Sequence, residues 1–164
     1  MSEEQAFRSV TVLHEVRIDA PREKVWEALT TNIGVWWHRD FLTRNENCKF
    51  TLDARPGGRL YEDWGNDEGL LWYHVIGVKP NEELRLSGEL FPDFGGPARM
   101  QGTWTLRADG DGTMLRLDER VFGQLSDTAA ASLTSGWKFL FDECLKPYVE
   151  TGEVNTSPAD VSCG

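Results

Sequence analysis

Cysteine is scarce. Cys48, Cys144 and Cys163 are the three present, and an odd count without close spacing argues against a disulfide framework and against a zinc site. Positive charge is also short. The 17 Lys and Arg face 27 Asp and Glu, a net charge of −10, and no Lys/Arg cluster forms a local basic patch. Sequence-independent binding to nucleic acid or to an anionic membrane is therefore disfavoured, since both would be repelled. No apolar run approaches the roughly 20 residues needed to span a bilayer. Met1-Ser-Glu-Glu-Gln5 has no charged-then-apolar signal segment. These absences lead us to expect a cytoplasmic protein with no membrane insertion. The chain also lacks a phosphate-binding Gly-x-x-x-x-Gly-Lys-Ser/Thr, a dinucleotide Gly-x-Gly-x-x-Gly and a Gly-x-Ser-x-Gly nucleophile turn. Asp109-Gly-Asp-Gly-Thr113 has the look of a calcium loop, but Met114 and Arg120 stand where that loop needs Gly and Glu. A hairpin turn accounts for it better. The three His are dispersed, so neither a metal nor a cofactor is expected.

A length of 164 residues, with 40% apolar and 27% charged side chains, suits one soluble domain with one core. Val10, Val12, His14, Val16 and Ile18 alternate along a long first strand, and Leu13 breaks the polar pattern on its other face. Pro21 then opens a short helix, where its fixed φ suits the first turn and its missing N–H costs nothing. Val25, Ala28 and Leu29 share that helix's inner face, with Trp26 beside them. Thr31 or Asn32 can cap a second short helix through Ile33-Gly-Val-Trp-Trp37. Six further strands follow with turn signals between them: Phe50–Ala54, Leu60–Trp64, Leu70–Val78, Leu84–Leu90, Met100–Leu106 and Leu115–Val121. Short turns between successive strands predict one antiparallel sheet. Ser126 or Asp127 is expected to cap a last, long helix. Its stripe of Leu133, Trp137, Leu140, Phe141, Cys144, Leu145 and Tyr148 is wide enough to cover a sheet. Pro147 should kink it, and Gly152 should end it. Residues 1–152 are thus expected to form a single domain, and 153–164 a polar, disordered tail.

The order strand, two short helices, six strands, long helix resembles the START-like superfamily, also called SRPBCC or Bet v-like. Four local stretches carry the likeness. They are Val16–Thr30, Pro56-Gly-Gly-Arg59, Val78-Lys-Pro80 with Leu84-Arg-Leu86, and Gly136-Trp137 leading to Leu145–Gly152. Together they resemble the branch related to the activator of the ninety-kilodalton heat-shock-protein ATPase, over about residues 8 to 152. The resemblance implies an α+β helix-grip fold, a curved antiparallel sheet of about seven strands around the long C-terminal helix with a cavity between them. Compared with the eukaryotic activator the resemblance is expected to stop short of that protein's separate N-terminal chaperone-binding domain, which weighs against a co-chaperone role.

A strongly curved sheet gripping one helix is hard to fill to its middle. The chain carries seven Trp, eight Phe and three Tyr, which either pack a core or line a pocket for a flat apolar ligand. Trp37, Phe41, Trp64, Tyr73 and Trp104 are the stronger pocket candidates. Phe50, Leu86, Met100, Leu117 and Phe141 are further candidate wall residues. Trp26 and Trp137 are assigned mainly to scaffold, though Trp137 is kept among the ligand-facing candidates. His14 and Glu119 interrupt apolar faces of the first and last strands, which are neighbours in this fold. The two are expected to approach each other, either as a polar anchor or acid–base pair or as a structural pair. Glu62 is read as an inward carboxylate or, more simply, a solvated hairpin residue. His38 is read as an ordinary surface residue or part of a lid. The positions of His74 and Arg99 stay undecided. Three functions follow in order: binding of a hydrophobic or aromatic small molecule; an enzyme like the superfamily's cyclases or hydrolases, with His14 or Glu119 moving protons; and a chaperone-interaction module. Homodimerisation stays open beside them.

Overall fold

A computed structural model describes residues 5–44 and 46–159. The strands are β1 (Ala6–Ile18), β2 (Lys49–Leu52), β3 (Arg59–Gly65), β4 (Glu68–Lys79), β5 (Glu83–Leu90), β6 (Ala98–Asp109) and β7 (Gly112–Leu125). Helices α1 (Arg22–Leu29) and α2 (Ile33–Trp36) follow β1, and α3 (Ala129–Lys138) and α4 (Lys146–Thr151) follow β7. The described residues form one antiparallel sheet in the order β1-β7-β6-β5-β4-β3-β2. The first and last strands are indeed neighbours, and the helix-grip architecture is the one the sequence pattern predicts.

Each element follows from local chemistry. Val10, Val12, Val16 and Ile18 turn one face of β1 into the core, while Leu13 stays exposed. Pro21 precedes α1 in an extended conformation, and its carbonyl accepts from the amides of Lys24 and Val25. Thr30 closes α1, its hydroxyl and amide both donating to the Trp26 carbonyl. The Trp36 indole donates to the Ala28 carbonyl at 2.7 Å, which pins α2 against α1. Gly34 is required at the next contact, because a Cβ there would lie 2.5 Å from the Phe50 carbonyl oxygen. That close approach brings the end of α2 onto β2. The Asp109–Gly112 stretch is the β6–β7 hairpin turn.

Three irregularities bend the sheet. The β3–β4 register passes from Leu60↔Tyr73 to Tyr61↔Leu71, so Trp72 is an extra residue. Trp64 on β3 and Ile76 on β4 are extra in the same way. Bulges of this kind kink the strand and increase its twist, and the sheet curves around the C-terminal helix here.

That helix runs from Ala129 to Thr151 with a π-helical stretch over Phe139–Leu145. Leu140, Phe141, Cys144, Leu145 and Val149 are buried on its inner side, each large apolar side chain contributing about 1.5–3 kcal/mol by burial. Its start differs from expectation. β7 continues to Leu125, so Ser126–Thr128 make the turn, and α3 begins at Ala129 with no side-chain cap. The expected break at Pro147 takes the form of widened turns just before it. The Glu143 carbonyl, which Pro147 cannot serve, accepts from the Asn155 side-chain amide at 3.0 Å.

Asn155 belongs to a segment expected to be a disordered tail. Residues 155–159 instead fold back over the corner after α2. The Ser157 carbonyl lies 2.6 Å from His38 Nε2, and the Ala159 amide donates to Asp40. Cys163 lies outside the described residues. Among the described residues, no helix is long and apolar enough to cross a membrane.

Candidate functional site

Between the curved sheet and α3 lies a cavity of about 210 Å³. Trp37 and Phe41 reach it from the segment after α2, and Phe50 from β2. Tyr73, Met100 and Glu119 reach it from the sheet, and Trp137 closes it from α3. The Trp37 ring packs 4.5 Å from Phe50 and 6.1 Å from Trp137, centroid to centroid. The lining is almost wholly apolar, and its one carboxyl is Glu119.

Glu119 sits on β7 opposite Gly102 of β6 and is 1% exposed. Oε2 accepts from the Tyr73 hydroxyl at 2.9 Å, and Oε1 from the Trp137 indole at 3.2 Å. Burial pushes its pKa up to about 7, although both hydrogen bonds pull it down. Tyr73 is held well above its ordinary value, first by burial and then by the charge of Glu119 and the hydrogen bond to it.

The expected His14–Glu119 pair does not form. His14 faces Leu117 in the register and Glu119 faces Val12, and His14 Nε2 instead meets Asp142 of the long helix at 2.8 Å. Strand adjacency was correctly inferred, but the covering helix supplies the nearer carboxylate. His14 does not border the cavity. Leu86, Trp104, Leu117 and Phe141 lie in the core and do not border it either. Trp104 Nε1 is buried without a hydrogen-bond partner.

Glu62 is neither solvated nor in the cavity. It is wholly buried and its two oxygens accept five hydrogen bonds. The Thr43 amide, the Thr43 hydroxyl, the Cys48 thiol and the Trp64 indole donate to Oε1, and the Trp72 indole donates to Oε2 at 2.7 Å. Burial works to raise its pKa, but these donors prevail and hold it below the ordinary value. Trp64 is thus a partner of Glu62 rather than a wall of this cavity. His38 is buried, not a surface residue, with Nδ1 accepting from the Asp40 amide. His74 and Arg99 border a groove on the outer side of the sheet, and Arg99 pairs with Glu89.

Several lining residues escaped sequence reasoning. Trp72 neighbours Tyr73, and strict alternation would send one of them outward. The bulge puts both on the inner side. Leu60, Leu90, Leu133 and Leu140 read simply as core, while Ser132 and Gly136 carry no signal in a single sequence. No group of three metal-ligating side chains occurs among the described residues.

A seven-stranded sheet gripping a C-terminal helix over a cavity defines a helix-grip domain of the SRPBCC class. Residues 19–150 match the family model described as "Activator of Hsp90 ATPase homolog 1-like protein", and the chain belongs to that family. Among solved structures it is similar to MLL2253 from Mesorhizobium loti, with 27% identity over 88% of this chain and 99% of that one, at a TM-score of 0.64. It is also similar to DynU16, a protein of the dynemicin biosynthetic locus, with 26% identity over 87% of this chain and a TM-score of 0.64. The chain spans 48% of DynU16, about half its length. The Aha1 dimer from Colwellia psychrerythraea shares the fold at 20% identity, 88% and 98% coverage and a TM-score of 0.58. No curated protein matches. Fold and family support a ligand-binding cavity function of the SRPBCC type.

Proposed function

We propose that this protein binds a small apolar or aromatic molecule in the cavity between the sheet and α3. The observation that carries this reading is an aromatic-walled space of about 210 Å³ with one buried carboxyl at its lining. An apolar cavity of about 150 Å³ is enough to take up benzene, so a one- or two-ring molecule is the appropriate size. Affinity would come from apolar burial, at about 25 cal/mol per Å² before the costs of association.

A thermal-shift panel of one- and two-ring molecules tests the proposal. A ligand at about 100 times its Kd stabilises by about 2.7 kcal/mol, a Tm rise of several degrees in a domain this size. Gly136→Leu should abolish the rise, because a side chain there starts 3.3 Å from the Phe41 ring and occupies the space. If no panel member raises Tm, and native mass spectrometry of the purified protein finds no bound molecule, the proposal fails. The acid–base reading of the site has lost its His14 partner, so a proton-moving role would rest on Glu119 alone. The family description supports, as a second reading, a contact with a chaperone. The exposed Leu71, Ile76, Phe91 and Phe94 on and beside the outer groove are its natural surface. Charge reversal at Glu89 or Asp93 beside that groove should then weaken co-purification with a chaperone, and unchanged co-purification would discard the contact.

A further inference from the structure

Two buried glutamates in this domain have opposite surroundings. Glu62 has five donors on two oxygens and does not border the cavity. Four of these donors crowd Oε1 and one holds Oε2. Glu119 has two donors, one on each oxygen, which leaves acceptor sites free on a carboxyl that borders the cavity. Glu62 is a closed structural acid. Glu119 is an open one, with two donors in a mostly apolar lining.

Glu119 is also held in place. Its Oε2 lies over Gly102, where a Cβ would come within 3.1 Å, and Tyr73 and Trp137 grip it from two sides. A preorganised acceptor loses little on binding. No Lys, Arg or His lines the cavity among the described residues, so nothing in the protein neutralises this acid. Groups facing it are Tyr73 from β4, Met100 and Gly102 from β6, Val12 from β1 and Trp137 from α3, and Tyr73 is the titratable one. His14 on β1 is taken by Asp142. Trp37, Trp72 and Trp137 line the same cavity, and indole faces attract ammonium ions most strongly among the aromatic side chains. The net charge of −10 favours approach of a cation over an anion.

We propose that the molecule taken by this cavity is a small arylalkylamine, bound as its ammonium ion with the nitrogen on Glu119 and the ring among the indoles. This rests on the cavity-binding reading above and names its ligand class. The raised pKa of Glu119, about 7, agrees with an acid lacking its counter-ion, and a bound ammonium would bring it down.

Isothermal titration with three probes of one shape tests it: 2-phenylethylamine, 2-phenylethanol and phenylacetate. At about pH 8 the amine is still protonated and Glu119 is mostly ionised. The amine should bind at least about tenfold more tightly than the alcohol, as a charge-assisted hydrogen bond requires, and the anion should bind weakest. In Glu119→Gln the amine's advantage should vanish. Should that variant be poorly folded, the unaltered protein gives a second measurement. Near the raised pKa of Glu119, about 7, titration in two buffers of different ionisation enthalpy should show net proton release on amine binding, and none for the alcohol. Equal affinities for amine and alcohol, or no proton release with the amine, overturn the cationic ligand while leaving cavity binding intact. Failure of all three probes overturns the amine ligand, and cavity binding is then decided by the thermal-shift panel and native mass spectrometry.

Discussion

Replacing Glu119 by Gln gives a stability change whose pH dependence can be worked from the structure. The carboxyl has an ordinary value of 4.5 and is pushed up to about 7 in the fold. The folded protein therefore holds this proton more tightly than the unfolded chain does. Its contribution is fully present below pH 4.5, is lost as pH rises to about 7, and is flat above that. The slope is about 1.4 kcal/mol per pH unit, so the loss across the window is about 3 kcal/mol. Glutamine keeps an acceptor for one of the two donors and does not titrate. Urea unfolding of both proteins, followed by tryptophan fluorescence at intervals from below pH 4.5 to above pH 7, gives the difference between them. That difference cancels Glu62, Asp118 and Glu150, whose pKa values are lowered and whose contributions fall away in acid instead. The wild type should lose about 3 kcal/mol relative to Glu119→Gln across the window. A flat difference, or one that rises with pH, would refute the reading of Glu119 as an under-partnered buried acid.

Glu62→Ala should cost about 1–3 kcal/mol in urea unfolding at neutral pH, because the half-buried indoles of Trp64 and Trp72 and the hydroxyl of Thr43 lose their acceptor. A loss under about 1 kcal/mol would show that the cluster is replaceable by water. Trp104→Phe and Trp36→Phe make a matched pair of fully buried indoles. Trp36 donates to the Ala28 carbonyl, while Trp104 Nε1 has no partner. Removing the unpaired N–H offsets part of the lost volume, so Trp104→Phe should be the milder change by at least about 1 kcal/mol. Equal losses in thermal or urea unfolding would mean that the Trp104 N–H is satisfied in solution.

The scaffold was legible in the sequence because periodicity and punctuation agree. Val16–Ile18 ends at Pro21, turn residues separate alternating strands, and the Trp137–Tyr148 stripe covers them. Glu119 was legible as an inward acid because it continues the phase of Leu115 and Leu117. Its partners were not. Tyr73 and Trp137 come from elements 46 and 18 residues away, and no local pattern carries that information. His14 shows the same limit: its phase on β1 was readable, but the choice of Asp142 over Glu119 depends on how the helix seats. Glu62 was misread as solvated because it lies near a turn, where exposure is the usual outcome. Thr43, Cys48 and two indoles surround it instead. Residues 155–159 are mostly polar and suggest solvent, whereas Asn155 answers a carbonyl that Pro147 leaves free.

The bulge at Trp72 makes the cavity wall depend on residue count as well as residue type. Leu60 already faces Tyr73, and Tyr61 already faces Leu71. Deleting Trp72 would join two segments that are in register, so the strand could straighten without exchanging its faces. Glu62 would lose its donor on Oε2, while Tyr73 would keep its place beside Glu119. Consecutive residues of one strand thus serve two separate acids, one committed to folding and one open to a guest. A single-codon deletion at this point would reshape the wall and the folding acid together, and leave the guest-facing acid where it is.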